Sequence, residues 1–128
     1  MASQRLTKVK NWAMNWNKRW LFVTILVGIG ITILSLLPPK SGVEIQSNDK
    51  INHFVAYAVF CMCGLKAYEG NKIVRLLLFF VCYGVFMECM QGFVPGREQS
   101  FFDALANSLG VSIGCLLYRL LLRKKESA

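Results

Sequence analysis

The chain holds a single histidine, His53, and it has no C-x-x-C pair and no serine placed beside a base. These gaps remove several chemistries at once. One imidazole and no ligand pair at zinc spacing leave no basis for a metal centre, and no other cofactor is expected. Cys61, Cys63, Cys82, Cys89 and Cys115 fall inside apolar runs, and Cys61-Met62-Cys63 is no redox pair, so the thiols read as small apolar filler. Without a serine nucleophile, any reaction would have to use carboxylate and imidazole groups. Internal repeats and low-complexity tracts are absent as well. No small-x-small cleavage signal follows the first apolar run, which is therefore expected to be a retained helix.

What the chain does have is apolar length. Hydrophobic residues make up 55% of it, and they gather in four segments, Trp20 to Leu37, Ile51 to Tyr68, Ile73 to Phe93 and Phe101 to Leu122. A hydrocarbon layer of about 30 Å takes about 20 mostly apolar residues per helix. Lipid admits only helices or closed barrels, and these runs lack the alternation of barrel strands. The expected fold is all-α: an integral membrane four-helix bundle over 20–122, preceded by a basic, Trp-containing interfacial segment at 1–19 and followed by a basic tail at 123–128. Trp12, Trp16 and Trp20 recur every four residues among Lys and Asn, which suits a short helix at headgroup level.

The formal charge of +8 is uneven along the chain. Arg5, Lys8, Lys10, Lys18 and Arg19 precede the first span, Lys66, Lys72 and Arg75 flank the second connection, and Arg119, Arg123, Lys124 and Lys125 close the chain. The other two connections hold only Lys40, Lys50 and Arg97, offset by Glu44, Asp49 and Glu98. Under the positive-inside rule both termini are cytoplasmic. The basic excess thus reports topology, with a secondary attraction to anionic head groups, and nucleic acid is not an expected partner.

Polar residues within the apolar segments fall in stripes, because residues three or four apart share a helix face. Asp49, His53 and Tyr57 mark the second segment, Gly84, Glu88 and Gln91 the third, and Asp103, Asn107, Gly110 and Gly114 the fourth. The first has a small-residue face of Thr24, Gly28, Thr32 and Ser35, suited to close helix packing. Alternate threading brings the polar ends to one depth. Intramembrane ionisable groups face a bundle interior or cavity, so an outward-facing polar pocket is expected. Its candidate acid–base groups are His53, Glu88 and Asp103; its candidate ligand contacts are Asp49, Lys50, Tyr57, Gln91, Arg97 and Asn107. Each has a plainer role available: a structural hydrogen bond for Glu88, an interfacial position for His53, helix capping for Asp103 and snorkelling for Arg97. Ser100, three residues before Asp103, is placed to cap the fourth helix.

The ordered set Asp49-Lys50-x-x-His53-Phe54-x-x-Tyr57, Gly84-x-x-x-Glu88-x-x-Gln91 and Arg97-x-x-Ser100-x-x-Asp103-x-x-x-Asn107-x-x-Gly110-x-x-x-Gly114 resembles the VanZ-like family of small bacterial membrane proteins. The resemblance spans roughly Asn48 to Cys115. It implies a multi-pass protein of the bacterial cytoplasmic (inner) membrane and, from the family's namesake, a link to teicoplanin resistance; it supplies no reaction.

Three functions compete on these residues. The first is binding or modification of an anionic envelope lipid or lipid-linked wall precursor, with Arg97 and Lys50 holding the head group. A small proton-coupled exporter is the second, although dual-topology exporters would lack such Lys/Arg asymmetry and alternating access places sites at the midplane. The third is a non-catalytic bundle acting through a partner, its polar layer serving as glue. The sequence does not set the oligomeric state.

Overall fold

A computed structural model of the chain describes the backbone of residues 2–39, 46–68 and 73–128. The connections around Lys40 and Glu44 and at Glu69-Gly70-Asn71-Lys72 lie outside the described residues, as do the side chains of Trp12 and Trp16. Among the described residues four helices follow one another: α1 (Ala2–Leu36), α2 (Gln46–Ala67), α3 (Ile73–Gln91) and α4 (Phe101–Glu126). Three of them contain a stretch long and apolar enough to cross a membrane, Lys18–Leu36, Ile73–Gln91 and Phe101–Glu126. The second helix is more polar, since Asp49, Lys50, Asn52, His53 and Lys66 occupy its ends. α1 runs as one helix of 35 residues, continuous from the basic N-terminal stretch into the first apolar run.

Helix ends follow local chemistry. Ser100 caps α4 by accepting from the Asp103 amide at 3.3 Å, and Arg123, Lys124 and Lys125 sit in the last turn, where cations complement the carbonyl end of the dipole. α2 begins several residues before its apolar run, with Asp49 in its first turn. Between α3 and α4, the Arg97 amide donates to the Val94 carbonyl at 3.1 Å across Pro95-Gly96. Gly96 has φ 80°, the left-handed value that the third position of such a turn demands, with Pro favoured just before it.

Contacts fix the helix directions. Trp20 lies under the Lys66 ammonium, 4.2 Å from the ring centroid, and Gly28 faces the Phe60 ring, so α1 and α2 run oppositely. Gly64 faces Phe80 and Gly84 faces Tyr57, so α2 and α3 also oppose. α2 and α4 run together and form the closest pairing. A Cβ on Gly110 would strike the Phe54 carbonyl oxygen, and one on Gly114 would strike that of Ala58. These two glycines let the backbones meet, as small residues do between membrane helices.

The core is layered. Tyr57, Phe60, Phe80 and Tyr83 interlock around the middle, with the Phe60 and Phe80 centroids 4.6 Å apart at 65°. Tyr83 donates to the Gly28 carbonyl at 3.0 Å and also bonds Thr32, joining α3 to α1. Cys61, Cys63 and Cys115 are buried, Cys82 and Cys89 exposed, and all five thiols are free. The outside is the apolar part: Phe22, Ile29 and Leu34 on α1, Leu78, Val85 and Phe86 on α3, and Leu105, Leu109 and Leu116 on α4 are all exposed. His53, Glu88, Gln91, Asp103 and Asn107 are buried instead. Such inversion suits a hydrocarbon solvent and would be costly in water.

Candidate functional site

The first turns of α2 and α4, the last turns of α1 and α3, and the Pro95-Gly96 turn share one end of the molecule. On α2, Asp49 and His53 stand one turn apart, and His53 Nε2 lies 3.7 Å from Asp49 Oδ1. The other ring nitrogen, Nδ1, is 3.0 Å from Asn107 Oδ1 on α4. Asn107 Nδ2 then donates to Glu88 Oε1 on α3 at 3.4 Å, and that same oxygen is 3.7 Å from His53 Nδ1. One amide thus bridges an imidazole and a carboxylate from two other helices. The close α2–α4 approach at Gly110, one turn below Asn107, makes the bridge short enough to form. Gly84 is open for a related reason, since a Cβ there would sit 3.1 Å from Asn107 Cβ and 3.2 Å from Tyr57 Cε1.

Asp103 stands one turn above Asn107 on α4, held at the helix start by the Ser100 cap. Its carboxylate, that of Asp49 and the His53 ring place donor atoms within 4.8 Å of one another. Asp49 is about half exposed, with 48% of its side chain accessible, whereas His53 and Asp103 are buried. Glu88 faces both His53 and Asp103, and the Ser100 amide approaches it from the loop. Its second oxygen, Oε2, is buried and has no hydrogen-bond partner among the described residues. The hydroxyl of Tyr57, a residue only 1% exposed, is in the same position.

The expected site residues therefore divide. Asp49, His53, Glu88, Asp103 and Asn107 converge, with Tyr57 packed behind them. Gln91 and Arg97 turn toward α1: Gln91 Nε2 donates to the Ser35 carbonyl at 3.3 Å, and Arg97 donates from Nε to Leu37 at 2.9 Å and from Nη2 to Leu34 at 3.2 Å. Two of the carbonyls that end α1 are thereby satisfied by a cation. Lys50 is exposed. Three carboxylates and one imidazole make up the cluster, and among the described residues no Lys or Arg forms an ion pair with any of them.

Sequence reasoning missed two features. The Asp49, His53 and Asp103 donors form a three-residue group that no linear spacing announces, because Asp103 comes from a different helix. The α1 carbonyls that receive Gln91 and Arg97 are backbone acceptors without a residue signature. On the opposite half of the molecule, a lateral crevice of about 530 Å³ opens between α1, α2 and α3 beside Gly28, Phe60, Leu76 and Phe79, with Arg75 at its edge. It is apolar and separate from the cluster.

Helices with an apolar exterior and a buried acid–imidazole cluster at one end define a membrane protein whose candidate site lies between its helices. Residues 3–122 match the model of the VanZ/LLP1 family, and the chain belongs to that family. No curated protein and no solved structure matches it.

Proposed function

We propose that this VanZ-like membrane protein is a four-helix bundle of the bacterial cytoplasmic membrane, with both termini cytoplasmic and the His53–Asn107–Glu88 cluster opening outward. There it binds or modifies the head group of an anionic envelope lipid or lipid-linked wall precursor, and so alters susceptibility to teicoplanin-type glycopeptides. The observation that carries the reading is the burial of His53, Glu88, Asp103 and Asn107 together, from three helices, at the end with fewest basic residues. Burying ionisable groups in an apolar surround is costly and marks function in membrane proteins. An imidazole within reach of two acids can hold or move a proton for a bound head group. Lys50, exposed at the rim, is free to meet an approaching phosphate.

The test uses His53→Ala and Glu88→Gln variants that accumulate in the membrane to wild-type amount. Loss of glycopeptide tolerance in both supports the reading; full tolerance in both sinks it. A second reading, in which the cluster is interhelical glue for a protein acting through a partner, is favoured by the position of Asn107, whose amide joins His53 to Glu88. That reading predicts that changes at Asn107 or Glu88 abolish folding and leave nothing to assay.

A further inference from the structure

Asp49, His53 and Asp103, we infer, hold a divalent transition-metal ion, Mn²⁺ or Zn²⁺, at the outer end of the helix cluster. The inference deepens the reading above and rests on the same cluster. It begins with the imidazole. Asn107 directs its NH₂ at Glu88, so its Oδ1 accepts, and Nδ1 of His53 carries the proton. In the neutral ring Nε2 then keeps its lone pair, on the side where Asp49 lies 3.7 Å away. Metal-binding histidines are commonly arranged this way, one nitrogen on the ion and the other donating to an oxygen that fixes ring and tautomer. The third donor is Asp103, and all three donor atoms lie within 4.8 Å of one another. Ligands at about 2.0–2.2 Å from a common ion stand roughly 3–3.6 Å apart. The half-exposed Asp49 side chain can rotate to close that gap without disturbing the buried pair.

Electrostatics gives a second, independent reason. Glu88 adds a third carboxylate, nine-tenths buried, on the Nδ1 side of the same ring, with the Ser100 amide near it. Arg97, the cation expected to hold the head group, is turned to the α1 carbonyl end. Three acids around one imidazole would repel an anionic head group. A bound divalent ion reverses the sign of the site and gives a phosphate oxygen a ligand position. One nitrogen and two carboxylate oxygens leave coordination positions open, as in metal sites that take a substrate. A nitrogen donor selects Mn²⁺ or Zn²⁺ over Mg²⁺ or Ca²⁺, which prefer oxygen throughout.

The experiment titrates Mn²⁺ into the full chain, purified in detergent and stripped with chelator, and follows binding by electron paramagnetic resonance. One ion per chain is expected. Asp49→Asn and Asp103→Asn should each weaken binding by roughly tenfold or more, since even outer-shell partners are worth that much, and Glu98→Gln, an exposed acid on the same side, should leave it unchanged. Pulsed spectra should show coupling to an imidazole nitrogen that disappears in His53→Gln. Asp49→Asn is the safeguard against misfolding, because that side chain is half exposed. Absence of saturable binding up to millimolar Mn²⁺, or binding indifferent to Asp49→Asn and Asp103→Asn, overturns the site. Saturable binding combined with unaltered glycopeptide tolerance in Asp49→Asn keeps the metal and sinks the envelope-lipid reading. A glycopeptide phenotype in His53→Ala, with no Mn²⁺ bound by the parent chain, does the reverse.

Discussion

His53 and Asn107 meet across the α2–α4 contact with Nδ1 3.0 Å from Oδ1, and the geometry of that one bond settles which imidazole nitrogen faces the open side of the cluster. Asn107 is 1% exposed, so its amide has no water to fall back on. Replacing it with Leu strands the His53 N–H and one Glu88 oxygen in an apolar surround. Each unpaired buried group costs about 1–3 kcal/mol. Asn107→Leu is therefore expected to lose roughly 2–6 kcal/mol against unfolding in mixed micelles, two groups on that same scale, and Asn107→Asp, which keeps an acceptor for His53 but sets another acid against Glu88, should lose no less. Equilibrium unfolding in SDS monitored by circular dichroism checks the ranking.

The glycines of α4 make a sharper prediction. A side chain at Gly110 or Gly114 meets the backbone of α2 rather than a movable group, so the helices would have to separate. Gly110→Ala and Gly114→Ala should each cost about 1–3 kcal/mol or more, the range for overpacking, and larger residues should prevent accumulation. Gly30, with nothing within 4 Å of its added Cβ, is the control: Gly30→Ala should be neutral or gain up to about 1 kcal/mol from helix propensity. Membrane-fraction yield and SDS unfolding separate the cases.

Arg97 should behave as a clasp. Its two donors reach the Leu34 carbonyl on α1 and the Leu37 carbonyl just past its end, a span suited to the planar fork of a guanidinium and not to the point charge of an ammonium. Arg97→Lys should thus resemble Arg97→Ala and weaken the last turn of α1 by about 1.5–3 kcal/mol, the range for a hydrogen bond to a charged group. Faster amide exchange confined to residues near Leu37, with little change at Asn107, is the expected signature.

Topology can be read by thiol labelling. Glu98→Cys, in a background where the native cysteines are replaced, should react with a membrane-impermeant maleimide on intact cells, and Ser127→Cys should react only after lysis. The opposite pattern would turn the cluster toward the cytosol and remove the envelope-lipid reading. The positive-inside bias of Arg5, Lys66 and Arg123 against the sparse charge around Arg97 sets this expectation.

Much of the cluster was legible because helix periodicity fixes faces before any fold is known. The fourfold steps from Asp49 to His53 and from Asp103 to Asn107, with Glu88 on the antiparallel neighbour, place these groups together once the helices alternate. The same periodicity put Gly110 and Gly114 on the stripe that meets α2. It could not say where long side chains would turn. Arg97 and Gln91 lie at the expected end, yet they bond α1 carbonyls, acceptors that every residue type carries. The trio of Asp49, His53 and Asp103 has no linear signature, because Asp103 joins the other two only through the close α2–α4 approach. Helix ends were displaced by polar residues that extend helices without extending apolar length: Gln46 to Lys50 at the start of α2, and Arg123 to Glu126 at the end of α4.

α1 carries a mechanical implication. Its 35 residues measure about 52 Å at 1.5 Å per residue, against an oily layer of about 30 Å. Roughly 20 Å, by that difference, is overhang that steep tilt could shorten but not absorb. Arg5, Lys8 and Lys10 fall in that stretch of the sequence, and the opposite end of the same continuous helix is where Arg97 bonds the Leu34 and Leu37 carbonyls, so the basic extension and the α3–α4 loop are joined through one element.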